Sequence, residues 1–319
     1  MGDFSKVGLK KINEILQFYH LSQAKSFRPT IEGTSNSNYE VILESGKKIL
    51  IKVSNDKTLE QLQNEQFILK TLNHYQYPYA LSPLDTIQGD KIYGHIGDFG
   101  VVMPFIEGRA ANFSQSDCFQ IGKALGSLHA LKISDDDKKR LRSHELVGFG
   151  GAQMFEYVTQ SFAQTDYVKA FNQMVAPELS KFDYTVLDSG IIHGDLYFDN
   201  ALFEGEELKT LIDFEQSGLG RYLLDLGIAV SGSCLPKGEV LVQKELVIKF
   251  VEGYQMARKL KDIELEYLRL AVLVGFFSIS LWRISRFIDK GLDPSKKDNY
   301  KDLLVKAQAF YENYPKAII

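Results

Sequence analysis

Cysteine is scarce in this sequence: Cys118 and Cys234 are the only two among 319 residues. Their spacing is not that of a zinc site, and two cysteines are too few for a disulfide-stapled secreted domain. The first residues, MGDFSKVGLKK, also lack the apolar segment of a secretory signal. A reduced, cytoplasmic location is therefore expected.

The sequence also lacks an excess of positive charge. It has 37 Lys and Arg residues against 41 Asp and Glu residues, a formal net charge of −4 at pH 7. Because proteins that bind nucleic acids usually carry a basic excess or stripe, no nucleic-acid partner is expected. The densest charged run, DDDKKR at residues 135–140, is predicted to be a solvated loop.

Long hydrophobic runs are missing as well. The longest, LAVLVGFFSISLW at residues 270–282, is shorter than the roughly 20 residues that a membrane span needs. Arg283 and Arg286 follow it directly. We therefore expect a buried helix here and no association with a membrane. The hydrophobic content of 45% is enough for a sizeable core.

The first third of the chain alternates between helical and strand-like patterns. Apolar residues at steps of three and four predict helices over residues 5–20, with Ser5 as the N-cap, and over residues 58–75. The alternating runs NYEVILE and KKILIKV predict a hairpin. Two more strand-like runs follow, DKIYGHI and FGVVMPFIEG.

Beyond residue 107 the patterns become mostly helical. Ser114 begins one predicted helix, a second covers residues 151–174, and the chain beyond 222 is largely helical. The runs NALF and LKTLIDF form a predicted hairpin near Gly205. The sequence therefore predicts an α+β fold with a small strand-rich part, residues 1–107, and a large helical part, residues 108–319.

Polar residues follow a short apolar run in IIHGDLYFDN, residues 191–200. Asp195 and Asn200 lie there, and Asp213 comes thirteen residues later, at the end of a second apolar run. Oxygen ligands of this kind suit Mg²⁺, which keeps other positions for water and phosphate. Asp and Asn are also common in turns. The combined pattern H-x-D-x-x-x-x-N followed by IDF is more specific, and it resembles the catalytic loop and metal-binding segment of the protein-kinase-like fold, which implies phosphoryl transfer.

The segments HGDLYFDN, LIDFEQ and GLGRYLLDLGIAV resemble the signature of the aminoglycoside phosphotransferase and choline kinase superfamily, over about residues 25–290. The resemblance implies a protein-kinase-like, two-lobed fold that uses ATP and Mg²⁺. It implies that Asp195 is the catalytic base and that Asn200 and Asp213 bind the metal. His193 and Asp225 would support the catalytic loop.

The same resemblance assigns nucleotide-binding residues to the N-terminal lobe. Lys52, in the third strand-like run, would bind the nucleotide phosphates. Its partner would be Glu65 on the following helix, with Glu60 as the alternative. Ser35 and Asn36 lie in GTSNSNY, which takes the place of the phosphate-covering loop although it lacks G-x-G-x-x-G.

The segment VVMPFIEG would connect the two lobes. Met103 and Phe105 within it are expected to contact adenine. Simple core packing of these two side chains is the alternative.

The acceptor is expected to be a small molecule. Only eleven residues separate Asp213 from Asp225, whereas a protein kinase has a much longer activation loop there. Within the superfamily, YFDNALF, DLGIAVSGSC and FFSISLWRISRFID most resemble type II homoserine kinases. Ser233 and Lys52 depart from that pattern, and Glu215 in IDFEQ resembles choline kinases. Homoserine is therefore favoured. The alternatives are a choline, ethanolamine or aminoglycoside kinase and a catalytically silent nucleotide-binding module.

Homoserine carries a carboxylate and an ammonium group, so its pocket needs a cationic partner. Arg283 and Arg286 are three residues apart and are expected on one helix face. We expect Arg283 first, and then Arg286, to bind the carboxylate, and Tyr197 to contact the acceptor. Choline would instead require aromatic and acidic groups, which Trp282, Tyr197 and Glu215 could supply. The oligomeric state stays open.

Overall fold

The computed structural model describes residues 7–30, 36–55, 57–95, 98–142 and 151–319. The chain divides into two compact units, Met1–Glu107 and Gly108–Ile319, called here the first and the second unit. The first is rich in strands and the second in helices, so the predicted α+β class is confirmed.

The first unit contains a five-stranded antiparallel sheet in the order β1-β2-β3-β5-β4. The predicted hairpin is present, and Gly46 in its turn has a φ of 83°. Thr58 caps α2 through a reciprocal capping box with Gln61. The elements are α1 (Leu9–Gln17), β1 (Ala24–Pro29), β2 (Asn36–Leu43), β3 (Lys48–Ser54), α2 (Leu59–His74), β4 (Ile92–His95) and β5 (Asp98–Pro104).

The two helices of the first unit pack against different groups of sheet residues. Ile12, Ile15 and Leu16 of α1 join the larger core cluster with β2 and β3. Leu62 of α2 packs with Phe99 and Val101 of β5. The described part of α1 begins at Leu9 with Gly8 at the N-cap, and the predicted cap Ser5 lies outside the described residues.

The second unit is built from helices and two short two-stranded antiparallel sheets, β6 with β9 and β7 with β8. Cys118 and Cys234 are buried free thiols. Its elements are α3 (Gln115–His129), α4 (Asp135–Arg142), α5 (Gly151–Val158), α6 (Thr165–Met174), α7 (Ala176–Leu179), β6 (Ser189–Ile192), β7 (Ala201–Glu204), β8 (Glu207–Leu211), β9 (Gly218–Arg221), α8 (Tyr222–Ser233), α9 (Lys244–Ala257), α10 (Asp262–Ile284) and α11 (Asn299–Asn313).

Two local predictions for the second unit were wrong. The run DDDKKR is helix α4, because Ser134 accepts a hydrogen bond from the N–H of Asp137 and three aspartates complement the positive end of the helix. The predicted helix over 151–174 is two helices, α5 and α6. The chain turns between them, and the N–H of Gln164 donates to the phenol oxygen of Tyr157 at 2.9 Å.

The prediction of a buried helix at residues 270–282 is confirmed, because most residues of α10 are buried. Among the described residues, Asp262–Asp289 is the one helical stretch with the length and composition of a membrane span, and 78% of its most apolar window lies inside the protein. A five-residue π-helix, Ser285–Asp289, continues directly from α10. This wider turn follows Arg283 and includes Arg286.

Helices α3 and α9 approach each other at glycine residues. A Cβ atom at Gly122 would overlap the carbonyl oxygen of Phe250, and one at Gly126 would overlap that of Tyr254. On the facing helix, a Cβ atom at Gly253 would overlap the carbonyl oxygen of Phe119. Because the overlapped atoms belong to the backbone, a side chain at any of these three glycine positions would push the two helices apart.

We expect Gly122→Val to lower the free energy of unfolding by about 3 kcal/mol, since it inserts a branched side chain between two backbones. Lys123→Val is the matched control, because it places the same side chain at the next, exposed position of α3. It should cost only about 0.5 kcal/mol through helix propensity. Urea unfolding of both variants measures the difference, and equal midpoints would contradict the close contact.

Candidate active site

The segment 193–200 lies between two strands. It leaves the end of β6, which pairs with β9, and runs into β7, which pairs with β8. The N–H of Ile212 donates to the carbonyl oxygen of Asn200 at 2.9 Å. These pairings place Asp213 next to the segment that contains Asp195 and Asn200.

The imidazole of His193 connects the two polar segments. It is buried, its Nε2 lies 3.1 Å from the carbonyl oxygen of Ile212, and its Nδ1 accepts the N–H of Asp195 at 3.3 Å. These partners require the neutral tautomer with hydrogen on Nε2. Burial lowers the pKa of His193 below its ordinary value, which favours the same neutral form.

Asp225, near the start of α8, holds the backbone of the segment 193–200, called the loop from here on. Its two carboxylate oxygens accept the N–H of His193 at 2.7 Å and the N–H of Gly194 at 2.8 Å. Nε2 of His129 is 2.9 Å from the same carboxylate. Burial alone would raise the pKa of Asp225, but these hydrogen bonds and the neighbouring imidazoles hold it below its ordinary value.

Negative charge is concentrated around the half-buried Asp195. Burial, and then the charges of Asp213, Glu215 and Asp199, raise the pKa of Asp195 well above its ordinary value, while Arg283 opposes the shift. Such a group of carboxylates is stabilised as anions when a cation lies among them. The charge around Asp195 is therefore of the sign that attracts a cation.

The two predicted metal ligands, Asn200 and Asp213, carry oxygen atoms of the kind that Mg²⁺ prefers. Nδ2 of Asn200 donates to the carbonyl oxygen of Asp195 at 2.7 Å, which leaves the amide oxygen available as a ligand. Asp213 has φ 66° and ψ 58°, a left-handed conformation that is costly for a residue with a side chain and is concentrated at functional sites. One carboxylate and one amide oxygen are few ligands, as Mg²⁺ prefers when phosphate and water complete its shell.

In the first unit, Lys52 occupies the centre of the sheet. It stands directly opposite Asn38 of β2 and Val101 of β5, so its side chain lies on the face that α2 covers. Asn36, opposite Ser54, lies on the same face two residues along β2. Ser35 lies outside the described residues.

The two candidate glutamates of α2 have different environments. Glu60 is exposed, whereas Glu65 is buried and accepts a hydrogen bond from Nζ of Lys57 at 3.0 Å. Lys57, which was not among the predicted site residues, is almost as buried as Glu65.

Met103 and Phe105 differ in their packing. Met103, near the end of β5, is partly buried and packs against the cluster of Leu62, Phe99 and Val101. The half-buried ring of Phe105 has Nζ of Lys48 5.7 Å from its centroid.

The two arginines after the apolar helix have different partners. Nη1 of Arg283 donates to the carbonyl oxygen of Asn299 at 2.7 Å, and its positive charge acts on both Asp195 and Tyr197. The guanidinium of Arg286 lies 5.2 Å from the ring centroid of Trp282. Because the helix widens to a π-helix at Ser285, the three-residue spacing does not give the shared face of an α-helix.

The ring of Tyr197 packs against the backbone of α8 at Gly232, where a Cβ atom would overlap it. Burial, and then the charge of Asp195, raise the pKa of its phenol above the ordinary value. The phenol is therefore neutral and close to Asp195.

Gly194 should be essential to the loop's conformation. Its φ is 80°, and a Cβ atom would overlap the carbonyl oxygen of Gln216. Gly194→Ala should lower the free energy of unfolding by about 3 kcal/mol, from backbone strain plus overpacking. Gly205→Ala is the matched control: its φ is 58° with nothing within 4 Å, so it should pay only the strain of about 1 kcal/mol. Thermal unfolding measures both, and equal losses would contradict the close approach to Gln216.

Solved structures of small-molecule kinases have the same fold. An amicoumacin kinase, hAmiN, in complex with AMP-PNP, Ca²⁺ and Ami, superposes with a TM-score of 0.69 at 15% identity, covering 94% of this chain and 95% of that one. A microcompartment-associated aminopropanol kinase gives a TM-score of 0.64 at 17% identity, covering 96% and 98%. At these identities the comparison shows the fold, and the predicted kinase-like fold is confirmed.

Sequence comparison gives relatives and a family. The chain is 27% identical to a homoserine kinase of Agrobacterium fabrum over 281 residues, 85% of this chain and 83% of the relative. It is 29% identical to a homoserine kinase of Rhizobium rhizogenes over 255 residues, 77% and 76% of the two chains. The model of the phosphotransferase enzyme family, APH, matches residues 26–261. This match covers most of the chain, extends into both units and includes every polar residue of the segment 193–200, and the chain belongs to the phosphotransferase enzyme family.

Proposed function

We propose that this phosphotransferase transfers the γ-phosphate of ATP to the hydroxyl group of homoserine, with Mg²⁺ as its metal. The observation that carries the proposal is Arg283, whose charge acts on Asp195 within a group of carboxylates. One guanidinium among carboxylates suits an acceptor that has both a carboxylate and an ammonium group. The homoserine kinases among the relatives support the same acceptor.

Asp195 acts as the general base. Its carboxylate accepts the proton of the acceptor hydroxyl as that oxygen attacks the γ-phosphorus atom of ATP, and the bond from this phosphorus to the β–γ bridging oxygen breaks so that ADP leaves. Asp213 and Asn200 hold Mg²⁺, which when bound neutralises charge on the phosphates and lowers the pKa of Asp195. His193 and Asp225 keep the loop in place through the hydrogen bonds described above.

The first unit binds the nucleotide, and the second binds the acceptor and carries the base. Lys52 binds the phosphates from the sheet face covered by α2, and the buried Glu65 is better placed than the exposed Glu60 to orient it. The remaining nucleotide contacts are assigned to Ser35, Asn36, Met103 and Phe105. The enzyme works in the cytoplasm, with the nucleotide and the small acceptor as its partners.

Arg283 binds the carboxylate of the acceptor, and Glu215 binds the ammonium group. The Asn299 carbonyl oxygen accepts a hydrogen bond from one of the five N–H groups of the Arg283 guanidinium, and this bond holds the guanidinium in place. The other N–H groups can donate to the carboxylate of the acceptor. Tyr197 lies near both Arg283 and Asp195 and completes the pocket.

Choline is less well suited to this site. A quaternary ammonium ion needs an aromatic face, and Trp282 is the one tryptophan in the sequence. The guanidinium of Arg286 already lies over that ring. The positively charged choline would have to displace this guanidinium from the ring of Trp282.

Release of ADP should be measured with homoserine, choline, ethanolamine, aminoglycosides and methylthioribose as separate acceptors. We expect turnover with homoserine, and we expect Asp195→Asn to reduce kcat by about 10²–10⁴-fold while the KM for ATP changes little. Turnover with choline but not with homoserine would show that homoserine is not the acceptor. Absence of ADP release with every acceptor, together with a Tm raised by nucleotide and Mg²⁺, would support the silent module instead.

The two arginines provide a paired test. Arg283→Ala should raise the KM for homoserine at least about tenfold, because a charge-assisted hydrogen bond contributes about 1.5–3 kcal/mol. The KM for ATP should not change. Arg286→Ala should leave the homoserine KM within about twofold, since its guanidinium stacks on Trp282. The reverse pattern would move the carboxylate site to Arg286.

A further inference from the structure

A chain of buried polar side chains extends from Asp225 away from the loop. His129 ends α3, and its Nε2 lies 2.9 Å from Oδ2 of Asp225. Its Nδ1 lies 2.7 Å from the phenol oxygen of Tyr254 on α9. Nη1 of Arg258, at the C-terminal end of α9, donates to the same phenol oxygen at 3.1 Å.

The two ends of this chain together set the direction of its hydrogen bonds. The ionised carboxylate of Asp225 only accepts, so His129 carries its hydrogen on Nε2 and donates it to Asp225. A neutral His129 then accepts at Nδ1 from the hydroxyl of Tyr254, whose oxygen accepts from Arg258. Burial lowers the pKa of His129 even beside the carboxylate, in agreement with a neutral ring.

Arg258 also holds the other end of the strand that precedes the loop. Its Nη2 donates to Oδ2 of Asp188 at 2.9 Å and to the buried Glu264 at 2.7 Å. Asp188 directly precedes β6, and the loop follows the other end of β6. Lys261 donates to the second oxygen of Asp188 at 2.7 Å. A single guanidinium is thus connected to both ends of the same short strand.

We propose that Arg258, Tyr254 and His129 are positioning residues that hold the carboxylate of Asp225 in one orientation and thereby aim Asp195. The proposal rests on the function proposed above, in which Asp195 is the base. The reason is the short connection: Asp225 accepts the N–H groups of His193 and Gly194, and Asp195 is the next residue. A displacement of about 1 Å at a reacting group can cost on the order of 10²-fold in rate.

Tyr254→Phe removes one hydroxyl from the middle of the chain and retains the ring. We expect kcat to fall about tenfold or more, with the KM values for ATP and acceptor within about twofold, because the loop is misaligned but the binding groups remain. Tyr222→Phe is the matched control. Tyr222 stacks on His129 with ring centroids 4.3 Å apart, but its hydroxyl takes no part in the chain, so kcat should stay within about twofold.

Substitutions of His129 test the donor itself. His129→Gln retains an N–H donor that can reach Asp225, whereas His129→Met has a similar size and no donor. We expect the glutamine variant to retain most of the wild-type kcat and the methionine variant to lose about 10²-fold. Equal activity in both variants, or a loss that is only in KM, would overturn the positioning role.

Hydrogen exchange separates this inference from the proposed function, because it needs no turnover. The amides of His193 and Gly194 should exchange faster in Tyr254→Phe than in Tyr222→Phe, at equal global stability. Equal exchange in the two variants overturns the inference even if the enzyme phosphorylates homoserine. Faster exchange in Tyr254→Phe supports it, and a failure of Asp195→Asn to reduce turnover would then reject the proposed base alone.

Discussion

The buried carboxylate of Asp225 is the interaction on which the rest of the site depends. Moving an anion out of water costs several kcal/mol, so it is stable only where donors surround it. Here the donors are two consecutive backbone amides of the loop and the imidazole of His129. The hydrogen bonds that stabilise the Asp225 carboxylate therefore also fix the position of the loop, because the two amides belong to the residues directly before Asp195.

Close helix packing makes that arrangement possible. His129 lies on α3 and Tyr254 on α9, and the two side chains meet because the helix backbones come together at glycines. Gly126, three residues before His129, has no room for a Cβ atom beside the carbonyl oxygen of Tyr254. Small residues far from the chemistry thus set a hydrogen-bond distance of 2.7 Å within the support of the loop.

Charge is distributed unevenly around Asp195, and this has chemical consequences. Several carboxylates raise its pKa while one guanidinium, Arg283, opposes them. A metal ion and an ammonium group would both stabilise such a site, and the arginine gives a carboxylate somewhere to bind. The same charges that raise the pKa of Asp195 would favour the binding of cations and of zwitterions.

The sequence by itself determined what depends on near neighbours. The capped helix after Thr58, the β2–β3 hairpin, the buried helix α10 and the order of polar residues from His193 to Asp213 follow from local patterns and turn chemistry. Most of the fold and the polar residues of the loop could therefore be predicted. Two local predictions were wrong, at DDDKKR and over 151–174, because capping and side-chain contacts outweighed composition. Only the tertiary structure decided which distant groups meet, such as His129 with Asp225, 96 residues apart, and Arg283 with Asn299. Hydrogen bonds require partners within about 3 Å, and that proximity arises from helix packing, which no local pattern contains.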